Sequence, residues 1–191
     1  MSKQKNFLNE SIENHRKVIE NLANQSNEIL DIIDIAKYTL SNQNKILFCG
    51  NGGSAADSQH LAAEFTGRFI SKKQPLPAIA LTTDTSAITA IGNDFSFDEI
   101  FSRQVNALGV KGDLLFAIST SGNSANVLKA VEESKKIGIK SIGLLGNDGG
   151  KISEICDHSI VIKSNITSRI QEAHIFIGHL VCESVDDIRE Y

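Results

Sequence analysis

Residues 45–64 read KILFCGNGGSAADSQHLAAE. Ile46 to Cys49 is a short, continuous apolar run of β-favouring character, as expected for a parallel strand buried on both faces. Gly50-Asn51-Gly52-Gly53-Ser54 follows, a tight loop whose glycines allow positive φ and close approach of a ligand to the backbone. Ser54 is then a candidate N-cap for a helix from Ala55 to Glu64. Free N–H groups at a helix N-terminus attract anions, so this loop suits a phosphate or another anion. On the helix, His60 and Glu64 are four residues apart and share a face, as a proton-transfer or metal-binding pair would.

Working outward, the same grammar repeats. Ala78 to Leu81 forms a second apolar run after Pro75 and Pro77. Leu114 to Ile118 forms the third and clearest, running into Ser119-Thr120-Ser121-Gly122-Asn123-Ser124 and then a helix that stops near Gly138. Ser141 to Leu145 and His158 to Ile162 complete five strands, and a last helix starts near Thr167. Strands alternating with helices at this spacing define an α/β protein with a doubly wound, five-stranded parallel sheet flanked by helices. Gly92, Asn93 and Asp94 are expected to break a helix that begins after Asp84, with a further helix over 97–108. Two amphipathic helices, one through Phe7, Leu8, Ile12, Val18 and Ile19 and one through Ile29 to Leu40, precede the first strand. They are expected to cover an exposed face or to form a subunit interface. The chain divides into residues 1–42, these helices, and an α/β core over 43–191, forming one domain.

The loops after Gly50 and after Ile118 echo each other, and such loops lie at the carboxyl ends of strands, where ligands bind near a switch point. Ser119, Thr120, Ser121 and Ser124 bring four hydroxyls together with backbone donors, a density suited to the three terminal oxygens of a phosphate monoester. An ordinary capping sequence is the competing reading. The first loop lacks the G-x-G-x-x-G spacing of a dinucleotide site, and Gly150-Lys151-Ile152 lacks the hydroxyl of a P-loop.

The charge balance of −4 gives no general reason to expect nucleic-acid binding. No apolar run approaches the ~20 residues of a membrane span, and no leader pattern is present, so a cytoplasmic protein is expected. The three cysteines, Cys49, Cys156 and Cys182, have no metal-like spacing and read as free thiols. The sequons at Asn24 and Asn165 therefore carry no weight. On the last helix, His179 lies among Ile175, Ile177, Leu180 and Val181, a setting typical of a core histidine. Gln171 lies eight residues before it, ~12 Å along a helix. Joint binding of one metal requires the two side chains to lean together or to come from different subunits.

Taken together, the motifs resemble sugar isomerase (SIS) domains and, among them, the phosphoheptose isomerase family. The resemblance rests on Cys49 to Ser54, His60 and Glu64, Thr66-Gly67-Arg68, Gly92-Asn93-Asp94-Phe95, Ser119 to Asn126, Asp148-Gly149-Gly150-Lys151, and Arg169-Ile170-Gln171-Glu172 with His179. It implies an aldose–ketose isomerase converting D-sedoheptulose 7-phosphate to D-glycero-D-manno-heptose 7-phosphate for bacterial surface heptose, in lipopolysaccharide or capsule. It implies a cytoplasmic homotetramer with active sites between subunits. By position, Ser119, Thr120, Ser121 and Ser124 would hold the phosphate, while Asn51, Gly52, Gly53, Glu64, Asn93, Asp94 and Gln171 would line the sugar. Glu64 and His179 would move protons, and His60, Glu64, Gln171 and His179 would bind one Zn²⁺ per subunit. Ser168 departs from relatives that carry an acid before the Arg, so that acid's contribution is absent. A carboxylate and a second proton carrier are what isomerisation through a cis-enediol needs. The rival class is a non-catalytic SIS-fold protein that binds the replication initiator, and a further alternative acts on another sugar phosphate; retention of Glu64 and His179 favours the heptose enzyme.

Overall fold

A computed structural model describes residues 3–70, 74–186 and 188. In chain order its helices and strands are α1 (Lys3–Asn21), α2 (Ser26–Ser41), β1 (Ile46–Gly50), α3 (Gly53–Thr66), β2 (Ala78–Ala80), α4 (Thr85–Asp94) and α5 (Ser102–Leu108). They continue as β3 (Leu114–Ser119), α6 (Ala125–Ile137), β4 (Lys140–Gly146), α7 (Gly150–Ser153), β5 (His158–Ile162) and α8 (Thr167–Ser184), with 3-10 turns at Leu22–Gln25 and Phe97–Glu99. All five strands are parallel, in the order β2-β1-β3-β4-β5.

The apolar runs explain both the strands and the layers. Alternate residues of a strand point to opposite faces. Ile46 and Phe48 of β1, with Leu114, Phe116 and Ile118 of β3, therefore join one core with α2, α3 and α8. Leu47, Cys49, Leu115 and Ala117 join the other with α5, α6 and α7. Phe48 stacks on Phe116 with ring centroids 5.2 Å apart and tilts against Phe65 of α3 at 5.9 Å. This contact locks α3 onto the central strands and so fixes the helix that carries His60 and Glu64.

Several local expectations change. The loop after β1 enters α3 at Gly53 with Gly52 as N-cap, so Ser54 is no cap; it lies buried in the first turn. α4 ends at Asp94, within the Gly92-Asn93-Asp94 stretch expected to break it, although Gly92 itself stays helical; it is capped at its start by the Asp84 side chain accepting from the Ala87 N–H. A glycine costs an exposed helix only about 1 kcal/mol, and no residue of α4 is buried. The expected helix over 97–108 is a 3-10 turn followed by the short α5. The last helix ends at Ser184; Asp187, Arg189, Glu190 and Tyr191 lie outside the described residues. Of the two leading helices, α2 covers one face of the sheet through Ile29, Ile32, Ala36 and Leu40. By contrast, α1 has no fully buried residue: Val18 and Ile19 pack partly against the same core, while Phe7, Leu8 and Ile12 are exposed.

The amino end of the sheet is tied by Asp113. Its carboxylate accepts from the Lys45 ammonium at 2.5 Å, from the Lys45 and Val110 amides at 3.0 and 2.9 Å, and from Asn44 at 3.3 Å. Burial pushes this carboxyl up, but the bonds from Lys45, Val110 and Asn44 outweigh it and hold it below the usual carboxylate value. A depressed folded pKa gives stability that is complete above the unfolded value of about 3.9 and lost as pH falls through the folded one. Asp113→Asn should therefore cost about 2–3 kcal/mol at pH 7, with the difference from the parent shrinking below about pH 4, as chemical denaturation at the two pH values will read.

No helix among the described residues is long and apolar enough to cross a membrane. The three cysteines are unbridged, and burial raises the Cys49 thiol strongly and the Cys156 thiol to about 12, so both are inert at neutral pH.

Candidate active site

Reversal of strand order between β1 and β3 puts the loops that follow these two strands side by side at the carboxyl edge. They are joined there: the Asn51 and Asn126 side chains exchange a reciprocal pair of hydrogen bonds, each 2.8 Å. Asn126 is buried and lies just inside α6. The two Gly/Ser/Asn loops thus form one continuous rim.

On that rim the hydroxyls turn toward one another. Ser124 occupies the N-cap position of α6, yet its side chain makes no capping bond. Its Oγ lies 3.0 Å from the Ser119 Oγ, which is 3.4 Å from the Ser121 Oγ. Ser121 Oγ also accepts from the Asn123 amide at 3.1 Å. The capping reading of these serines therefore fails for Ser124. What stands at the head of a 13-residue helix is a cluster of hydroxyls beside the amides of the first turn, chemistry suited to a phosphate.

The second group lies on α3 and α8, which run side by side. Gln171 packs its amide directly over Gly53, where any Cβ would overlap it, and Gly178 faces Leu61 in the same way. This alignment sets His179 beside His60, with Nε2 atoms 3.0 Å apart and rings edge to face at 5.2 Å. Glu64 Oε1 lies 3.6 Å from the same His60 nitrogen, and Phe69 packs on the His179 ring at 5.5 Å between centroids. Burial depresses the His179 pKa, the neighbouring His60 depresses it further, and Glu64 opposes both. His179 is thereby kept neutral at neutral pH, able to take or give a proton or to bind a metal.

The core histidine of α8 is a different one. His174 is fully buried, bonds the Leu145 carbonyl at 3.0 Å, and is pushed down to about 4 by burial. His179 is half-buried and open to the site.

Not all the expected residues meet within one chain. Seven residues of α3, about 10 Å of rise, separate Gly53 and its Gln171 neighbour from His60. Asn93 and Asp94 face solvent at the end of α4, bonded to each other at 2.8 Å. Among the described residues no group of three His, Cys, Asp or Glu is gathered as a closed metal site. The His60–His179 pair itself fits a metal: bonds of about 2.0–2.1 Å from two imidazoles to one Zn²⁺ set their nitrogens slightly over 3 Å apart. Sequence reasoning also missed Asp57. It lies one turn before His60, has a buried Oδ2 with no hydrogen-bond partner, and is raised by burial against the opposing effect of His60. The spacing of Asp57 and His60 was visible, but only burial distinguishes it from a surface pair.

Residues 10–146 match the SIS domain family model. The chain is 52% identical over 183 residues to the phosphoheptose isomerase of Campylobacter concisus, covering 96% of this chain and 97% of that one. It belongs to the phosphoheptose isomerase family. Solved relatives agree across the full length: phosphoheptose isomerase GmhA from Neisseria gonorrhoeae superposes with TM-score 0.87 at 45% identity, covering 96% of this chain and 97% of its own. A phosphoheptose isomerase from Francisella tularensis gives TM-score 0.93 at 36% identity, with 97% and 99% covered. Family membership and the hydroxyl rim point to the same substrate class, a phosphorylated sugar.

Proposed function

We propose that this isomerase converts D-sedoheptulose 7-phosphate to D-glycero-D-manno-heptose 7-phosphate with Glu64 and His179 as its proton carriers. The observation that carries the assignment is that both side chains converge on His60 while a separate cluster of hydroxyls stands at the head of α6, which supports its use for the phosphate. Ser119, Thr120, Ser121 and Ser124 hold the 7-phosphate. Asn51, Gly52, Gly53, Asn93, Asp94 and Gln171 line the polyol. Glu64 takes the proton from C1 of the ketose and returns it at C2 through a cis-enediol, and His179 moves the proton between the two oxygens. A balanced isomerisation results, with no net change in protons.

The proton carriers lie far from the rim of their own chain. Eleven residues of α3, about 16 Å of rise, separate Gly53 from Glu64. This supports active sites shared between subunits, the rim of one facing the acid–base pair of another. The exposed Phe7, Leu8 and Ile12 stripe on α1 supports the same reading, with a homotetramer as the assembly. Sedimentation at low micromolar concentration should show no ~21 kDa monomer (about 110 Da per residue), and a stable, fully active monomer would overturn the shared site.

The donor set suits Zn²⁺, with His60 and His179 as its nitrogen ligands and Glu64 and Gln171 as oxygen ligands, Gln171 coming from another subunit. When bound, the ion supplies Lewis-acid polarisation of a carbonyl. The product feeds bacterial surface heptose, in lipopolysaccharide or capsule, from a cytoplasmic enzyme. Incubation with sedoheptulose 7-phosphate, followed by NMR, should show the aldose product; no turnover by full-length, zinc-supplied protein would favour the non-catalytic binding role.

A further inference from the structure

One motif has no part in the mechanism above: Asn147-Asp148-Gly149-Gly150-Lys151, the turn from β4 into α7. It lies behind the loop of residues 120–124 and bonds it at several points. Asn147 Nδ2 donates to the Thr120 carbonyl at 3.0 Å. The Lys151 amide donates to Asn123 Oδ1 at 3.1 Å, and the Ile152 amide to the Gly122 carbonyl at 3.0 Å. Asn123 in turn donates from Nδ2 to the Ser121 carbonyl at 2.9 Å.

The fit is backbone against backbone. A Cβ on Gly122 would overlap the Gly149 carbonyl, and one on Gly150 would overlap the Gly122 carbonyl and the Asn123 side-chain amide. The turn reaches this position only through positive φ, 55° at Asn147, 89° at Gly149 and 51° at Gly150, with Asp148 Oδ1 accepting from the Gly150 amide at 3.1 Å. Asparagine at such a φ is tolerated but uncommon. That Asn147 adopts it with its amide on the Thr120 carbonyl ties the backbone conformation to that bond.

We infer that the β4–α7 turn is the template that sets the phosphate-binding loop, with Asn147 as a positioning residue acting through Thr120 and Asn123 through Ser121 and Lys151. The inference rests on the reading that Ser119, Thr120, Ser121 and Ser124 hold the phosphate. Hydroxyls and amides bind an anion well only if their directions are fixed beforehand, so a loop fastened from behind binds tighter than the same loop left free. Neither Asn147 nor the turn touches the acid–base pair, so the effect falls on binding.

The test uses full-length enzyme with Asn147→Gly, which keeps positive φ accessible and removes the amide. Asn147→Asp is the second variant; it keeps the size and turn preference but cannot donate to the Thr120 carbonyl. KM for sedoheptulose 7-phosphate and the Kd for inorganic phosphate should each rise about five- to tenfold, roughly the worth of one hydrogen bond, with kcat within about twofold. A lowered melting temperature with KM and phosphate affinity unchanged in both variants would overturn the inference, since a structural role predicts that pattern. Ser124→Ala, measured alongside, separates the two readings. If it weakens phosphate binding and the Asn147 variants do not, only the template fails; if it also has no effect, the phosphate assignment falls and the template with it.

Discussion

Glu64→Gln should lower kcat by about three orders of magnitude and leave KM within a fewfold of the parent. The substitution preserves shape and an oxygen donor while removing the charge and the basic carboxylate, so with zinc content measured alongside and equal to the parent's its effect reads proton transfer. A positioned general base contributes about 10²–10⁴ in rate. Glu64 is suited to being isolated in this way: its contact with His60, at 3.6 Å, is longer than a hydrogen bond, and its side chain is only one-fifth exposed. Losing it should cost the fold little, and the melting temperature should move by no more than a few degrees. The rim proposed to hold the phosphate begins eleven residues away along α3, so inorganic phosphate should bind as before. In D₂O the variant should also fail to wash solvent deuterium into the substrate at C1, which separates a missing base from a slow later step. Wild-type turnover or exchange in Glu64→Gln would remove Glu64 from the mechanism and leave its carboxylate to the metal alone.

The sheet was legible because burial on both faces leaves an unambiguous mark. Ile46 to Cys49 and Leu114 to Ile118 have no polar interruption, and each divides cleanly between the two cores by alternation. The two Gly/Ser/Asn loops were legible as loops because glycine and hydroxyl runs after such strands make tight turns, but the sequence left capping and anion binding as competing uses. What was not legible depends on contacts distant in sequence. The seating of Gln171 on Gly53 and of His179 on His60 follows from the parallel alignment of α3 and α8, and neither helix encodes that alignment by itself. Assignment of the core histidine to His174 also needed the fold, because both histidines of α8 have apolar neighbours in sequence. The misread Ser54 cap has a local origin: Gly52 can adopt the entry conformation without a side-chain cap. The role of α2 was left between two options because amphipathicity says that a helix face needs cover without saying whose.

The His60–His179 contact yields the second large effect, because two substitutions at one contact separate two roles. His179→Ala should reduce turnover by about 10²–10³ and also reduce zinc retained after dialysis. It removes a proton carrier and a nitrogen ligand together. His60→Ala removes the facing nitrogen, 3.0 Å away, but no proton carrier. Its zinc affinity should fall by more than the roughly 10–100-fold that outer-shell losses cause. If polarisation by zinc contributes to the rate, His60→Ala must lose activity too, and added zinc should restore part of it as the weakened site fills. If zinc only braces the assembly, His60→Ala should keep its kcat while its oligomer dissociates at lower dilution or temperature, and only His179→Ala should lose turnover. Depression of the His179 pKa by burial and by His60 carries a further consequence: without the neighbouring His60, that imidazole should titrate higher. In metal-free protein, NMR of His179 in the His60→Ala variant should show the rise directly. Metal-free wild-type enzyme that is fully active, and indifferent to zinc or chelator, would end the metal assignment and leave the contact between the two rings as a proton-sharing pair.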